Sequence, residues 1–186
     1  MYSGENQTAI RSMQWLDAAL MRLLEIEKYT KITVKDICVE ADLSRQTFYQ
    51  MFDSKDEVME YHFQNLFAKF QDDCREFKGI ECHELATNFF RFFYGERNFV
   101  KILIANNMAY LMEKEFEKYL PMIDLFQHIN ETEEYPDYSV AYVAGALTQT
   151  LIHWFDRGFK PEISEVSKLT EDIISGHVYQ RANSKK

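Results

Sequence analysis

Arg45, Gln46 and Thr47 stand in a row and carry, among them, a set of groups that reads base edges in the major groove of DNA. Arginine donates twice to guanine O6 and N7, glutamine pairs with adenine, and a threonine methyl touches a thymine methyl. Around them Thr33, Ser44, Tyr49 and Lys55 offer hydroxyl and ammonium groups that suit phosphate oxygens, contacts that fix register rather than sequence. Lys31 and Lys35, with no acid between them, add a small positive patch and make Lys35 a further phosphate candidate.

Side chains can do this only from a short helix held by its opposite face. Phe48 and Phe52, four residues apart, point inward together and turn Arg45, Gln46 and Gln50 outward. Ser44 is a good N-cap for a helix over 45–51, and Asp42 before it tolerates the left-handed angles that end a preceding helix. That preceding helix opens on T-V-K-D, where Thr33 caps and Asp36 answers three residues later. Val34, Ile37, Cys38 and Ala41 form its inner face. Upstream, Ile10, Met13, Leu16, Leu20, Leu23 and Leu24 recur at helical steps and predict one amphipathic helix over 8–28, with Met13 and Trp15 in the core. Downstream, Ser54-Lys55-Asp56-Glu57 reads as a second capping box opening a helix to about residue 77. Two helices joined by a turn of about three to four residues, the second short and polar outside, form a helix-turn-helix.

The run I-T-V-K-D-I-C-V-E-A-D-L-S-R-Q-T-F-Y-Q-M-F-D-S-K-D-E-V, residues 32–58, closely resembles the DNA-binding segment of the TetR family of bacterial transcriptional regulators. The resemblance implies an all-α homodimer with a three-helix helix-turn-helix module at 1–53 and a larger C-terminal ligand-binding and dimerisation domain at 54–186. It places Thr33, Ser44, Tyr49 and Lys55 at phosphate-contacting positions and Arg45, Gln46 and Thr47 at base-reading ones. The implied function is a ligand-responsive regulator, a repressor by expectation, bound to a palindromic double-stranded operator. Two features depart from the family pattern. Asp42 stands where the turn usually carries glycine, and residues 1–62 hold eleven acids against seven bases. Binding must then rest on a focused patch rather than on bulk charge. The acidic balance also keeps open a second function, a co-activator or protein-interaction factor of the same fold without its own grip on DNA.

The rest of the 186 residues reads as helix throughout, without period-two alternation or internal repeat. Segments near 81–95, 97–112 and 114–130 are followed by long helices at 137–157 and 162–181, with connections at 131–136 and 158–161 that each end on proline. Eleven of the fifteen phenylalanines fall between Phe63 and Phe126. An aromatic band that wide either packs as an ordinary core or lines a cavity for a small apolar effector, bounded by Phe89, Phe93, Tyr94, Asn106, Tyr110 and Leu147. The long helix from Lys55, reaching from the DNA module to this aromatic region, is the expected lever between effector and DNA. On the helix at 137–157, Ala141, Gly145 and Thr148 make a narrow face of small residues. With Ile173 on the last helix they are the expected dimer contacts, packing onto the chain's own core being the alternative.

Other chemistries find little footing. Three cysteines without C-x-x-C spacing argue against a disulfide framework and fit a reducing, cytoplasmic setting. No histidine lies four residues from another, so no metal is expected, and no phosphate loop or nucleophile motif suggests an enzyme or cofactor. Residues 138–155 carry no charged group besides His153, yet Ser139, Thr148, Gln149 and Thr150 favour a buried helix over a membrane span.

Overall fold

The computed structural model describes residues 1–2, 4, 6–75, 82–123 and 134–175, with 73–75 as backbone alone. Among them every regular element is a helix, as the sequence implies. The chain forms two compact units, Met1–Lys69 and Phe70–Lys186. The division falls inside one helix rather than in a linker.

In the first unit α1 is Gln7–Leu24, α2 is Val34–Glu40 and α3 is Arg45–Met51, while α4, Lys55–Arg75, begins here and ends in the second unit. Asn6 caps α1 by accepting from the Thr8 amide at 2.9 Å, and Ala9, Met13, Leu16, Leu20 and Leu24 form its inner stripe. The helix is shorter than the 8–28 expected from its periodicity, because its core face ends at Leu24; Ile26 is almost wholly exposed. Helices α1, α2 and α3 pack on one another, with Leu16, Leu20, Ile37, Phe48 and Phe52 buried, and Val58, Met59 and Phe63 are buried along the first turns of α4. Burying each such side chain contributes roughly 1.5–3 kcal/mol against about 1 kcal/mol for a cap, and the buried side chains far outnumber the caps, so packing decides the fold and caps decide where helices start.

Trp15 is the exception to the core expected for α1: it is 55% exposed. It lies beside a shallow groove of about 280 Å³ lined by Ala18, Arg22, Glu40, Ala41 and Asp42, whose two alanines are too small to cover an indole. The Ser54 box is likewise half formed. Ser54 Oγ accepts from the Glu57 amide at 3.3 Å, but the Glu57 carboxylate turns to the Asp53 amide at 2.9 Å and the N-terminal amine at 2.8 Å.

In the second unit α5 is Cys82–Gly95, α6 is Arg97–Ala105, α7 is Tyr110–Tyr119, α8 is Pro136–Asp156 and α9 is Ile163–Ile174, with a single 3-10 turn at Leu120–Met122. Helix α9 packs on α5 and α8 on α7. The helix expected over 97–112 is two helices. Asn107 takes φ 57° after α6, and the Met108 amide reaches back to the Leu103 carbonyl at 2.8 Å, closing a Schellman cap. The same cap closes α2 through Asp42 (φ 54°) and α8 through Gly158 (φ 63°). Parts of the segments expected near 114–130 and 162–181 lie outside the described residues. No described helix is long and apolar enough to cross a membrane.

Candidate nucleic-acid interface

Helix α3 starts where Ser44 Oγ accepts from the Thr47 amide at 3.0 Å and meets the Thr47 hydroxyl at 2.9 Å. Phe48, fully buried, and Phe52, 1% exposed, pin its inner face, their ring centroids 6.0 Å apart. The register that buries them leaves Arg45, Gln46, Tyr49 and Gln50 exposed, as the sequence requires. The Arg45 guanidinium carbon lies 6.0 Å from the Tyr49 ring centroid, at the outer reach of a cation–π contact. Thr47 is half-buried, and its hydroxyl serves the cap.

The expected phosphate contacts fall into two kinds. Tyr49, half exposed, and Lys35, exposed, stand on the surface of α3 and α2. Thr33, Ser44 and Lys55 are already engaged. Thr33 Oγ1 donates to the Asp36 carboxylate at 2.7 Å and accepts from the Asp36 amide at 3.3 Å, while the Thr33 amide donates to the same carboxylate at 2.9 Å. These bonds, the hydroxyl's first, hold Asp36 below the usual carboxylate range, so α2 opens on a fixed negative charge. Lys55 Nζ donates to the carbonyls of Tyr29 at 2.6 Å and Ile32 at 2.8 Å and sits 4.1 Å from the Tyr29 ring centroid.

Acidity around the turn is partly neutralised. Arg22 Nε meets Glu40 Oε1 at 2.6 Å and ties the end of α1 to the end of α2, whereas Asp42 is exposed. Neither that bridge nor the cluster of Lys55, Tyr29 and Asp56, in which the Tyr29 hydroxyl bonds the Asp56 carboxylate, was foreseeable from spacing. Their partners lie 18 and 26 or 27 residues apart in sequence.

The expected effector residues of the second unit do not all converge. Phe89 and Phe93, tilted against each other, are buried with Phe116 edge-on to both, centroids 4.8–5.6 Å apart. Asn106 is half-buried and donates to the Ile102 carbonyl of its own helix. Tyr94 is 41% exposed, against Trp154 and Phe159, and Tyr110 is 61% exposed; Leu147 is half-buried. Of the expected dimer contacts, Ala141 and Ile173 are exposed. Thr148 is buried within the chain, its Oγ1 without a hydrogen-bond partner among the described residues. Gly145 belongs to the same packing, since a Cβ there would stand 3.4 Å from Glu113 Oε1 of α7. The outward apolar residues are instead Tyr138 and Tyr142 on α8 and Leu169, Ile173 and Ile174 on α9. No group of three or more His, Cys, Asp or Glu among the described residues is placed to hold a metal ion.

This arrangement can be set beside known proteins. Residues 16–61 match the family described as "Bacterial regulatory proteins, tetR family", and residues 81–176 the one described as "Transcriptional regulator C-terminal region". The "HTH-type dhaKLM operon transcriptional activator DhaS" of Lactococcus lactis subsp. lactis (strain IL1403) is 34% identical over 61 residues, 33% of either chain, so that match spans a third of the relative's length. Among solved structures, "Dihydroxyacetone kinase operon activator DhaS" aligns with a TM-score of 0.56 and 20% identity over 92% of this chain and 96% of that one. A TetR transcriptional regulator from Streptococcus agalactiae 2603V aligns at 0.64 and 17% identity over 90% and 96%. At those identities the structural likeness is one of fold. The matched families and relatives are regulators of transcription, not enzymes.

Proposed function

The chain belongs to the TetR family of bacterial transcriptional regulators, and from that premise we propose that it binds a near-palindromic operator as a cytoplasmic homodimer and changes its grip when a small apolar effector enters the second unit. One observation carries the DNA reading: a capped α3 with Phe48 and Phe52 buried behind it presents Arg45 and Gln46 to solvent. Arg45, Gln46 and Thr47 read bases; Thr33, Lys35, Ser44 and Tyr49 set the register on the phosphates. The DNA module at 1–53 and the larger remainder at 54–186 stay as the proposed functional division. The dimer forms through the exposed Leu169, Ile173 and Ile174 of α9 with Tyr138, Ala141 and Tyr142 of α8, setting the two α3 helices one DNA turn apart, ~34–36 Å. The effector lies among the aromatic residues around Phe89 and Phe93, and α4 is the element through which it acts. It releases DNA only by binding the DNA-incompetent arrangement more tightly, since equal affinity for both shifts nothing.

The sign of regulation depends on where the operator lies relative to the promoter. The Lactococcus lactis relative is an activator by its name, so repression is the outcome a reporter gene must distinguish from activation. The excess of acids in residues 1–62 favours one second reading, a co-activator that grips a protein instead of DNA. Selection from a random duplex pool separates them. The first reading expects enrichment of a palindrome that Arg45→Ala scrambles; recovery of unenriched sequence at low salt defeats it and leaves the second.

A further inference from the structure

The expected role of Lys55 was a phosphate contact, but its surroundings describe a different task. Its ammonium is half-buried and donates at 2.6 and 2.8 Å to two carbonyls, those of Tyr29 and Ile32, that flank the turn between α1 and α2. The Tyr29 carbonyl also accepts from the Ile32 amide at 3.2 Å, so one cation closes the turn at both ends. The Tyr29 ring covers the ammonium at 4.1 Å, and the Tyr29 hydroxyl bonds the carboxylate of Asp56, the residue after Lys55. Ile32, 3% exposed, immediately precedes Thr33, the cap of α2. Burial also lowers the affinity of this ammonium for its proton, with Asp56 pulling the other way. Two of the three N–H donors of Lys55 are thus committed to carbonyls by charge-assisted bonds, which are the strong kind, and the ring of Tyr29 covers the ammonium beside them.

We infer that Lys55 is a positioning residue: it locks the turn at 29–32 onto the first turn of α4 and so sets where Thr33 and α2 present themselves to DNA. The inference rests on the DNA-binding reading above for its effect on affinity, but the lock itself does not. A phosphate contact and a positioning residue differ in salt dependence, because each phosphate neutralised adds about 0.9 to the slope of log K against log salt. They differ also in rescue. A glutamine amide has no charge to give a phosphate but still donates to a carbonyl.

The test measures operator binding of the full chain from low to moderate salt for wild type, Lys55→Met, Lys55→Gln and Lys35→Met. Lys55→Met should lose about tenfold in affinity or more with an unchanged slope, Lys55→Gln should regain part of that loss, and Lys35→Met should lower the slope by about one. Amide hydrogen exchange over residues 29–36 should quicken about tenfold or more in Lys55→Met while exchange in α5–α9 stays as it was. A slope lowered by about one in both Lys55 variants, with exchange at 29–36 unchanged, overturns the inference. Should wild type bind no duplex, the DNA reading fails, and the exchange comparison alone upholds or overturns the lock. Should Lys55→Met not fold, Lys55→Gln carries both measurements.

Discussion

Asp42 ends α2 at φ 54°, its amide bonded to the Val39 carbonyl at 3.2 Å and the next amide, of Leu43, to Cys38 at 2.9 Å. An L-residue with a Cβ pays roughly 1–2 kcal/mol to sit in the left-handed region, less for aspartate, whose short polar side chain can bond locally. Glycine escapes that penalty but carries about 0.5–1 kcal/mol of extra unfolded-state entropy. Asp42→Gly should therefore leave stability unchanged or raise it by about 0.5 kcal/mol, while Asp42→Ala lowers it by about 0.5–1 kcal/mol. A gap of about 1 kcal/mol corresponds to about 2–4 °C for a chain of this size, within reach of a thermal melt followed by circular dichroism. Both variants remove one exposed acid beside the proposed DNA face, so both should bind operator more tightly and by the same factor at low salt. Stability would then follow the backbone and affinity the charge. Equal melting of the glycine and alanine variants would refute the argument that φ at this turn is strained, and unequal affinity would show that the turn's shape, not its charge, governs binding.

Arg45→Ala and Gln46→Ala should each cost about 1–3 kcal/mol on cognate DNA and relax base preference at one position per half-site; equal loss on random duplex, by mobility shift at fixed salt, removes them from base reading. Leu169→Asp with Ile173→Asp should shift sedimentation toward monomer, and a variant that still sediments as a dimer places the interface elsewhere. Thr148→Val should stabilise the chain by about 1 kcal/mol, because a buried hydroxyl without a partner among the described residues is replaced by a methyl of the same shape; a lower melting temperature would reveal a bond to that hydroxyl.

The first unit was legible because its signals are local. The Thr33 cap, the Asp42 turn, the Ser44 cap and the Phe48–Phe52 pair each act within four or five residues, and all stand where the spacing puts them. What escaped depends on distant neighbours. Trp15 shares α1 with Leu16 and Leu20, but only the elements packed on α1 decide which side is covered. The small-residue face of Ala141, Gly145 and Thr148 does not by itself name the helix it meets: within the chain Thr148 is buried, a Cβ at Gly145 would stand 3.4 Å from Glu113 Oε1 of α7, and Ala141 stays exposed. The break at 106–109 was hidden because apolar residues continue through it, from Leu103 to Met108 and Leu111; only Asn107 marks the left-handed step.

The placement of the tryptophans gives each unit its own optical label. The chain has two, Trp15 in the first unit, more than half open to water, and Trp154 in the second, 2% exposed, ringed by Phe90 and Phe159 and donating to the Pro161 carbonyl at 2.7 Å. A solvated indole emits to the red and is reached by a soluble quencher, whereas an enclosed one emits to the blue and is shielded. Intrinsic fluorescence of the unlabelled protein therefore splits into a quenchable red component and a protected blue one. An event confined to the DNA module changes the first alone, and an effector among the aromatic residues of the second unit changes the other, so the order of the two steps can be timed in one stopped-flow trace.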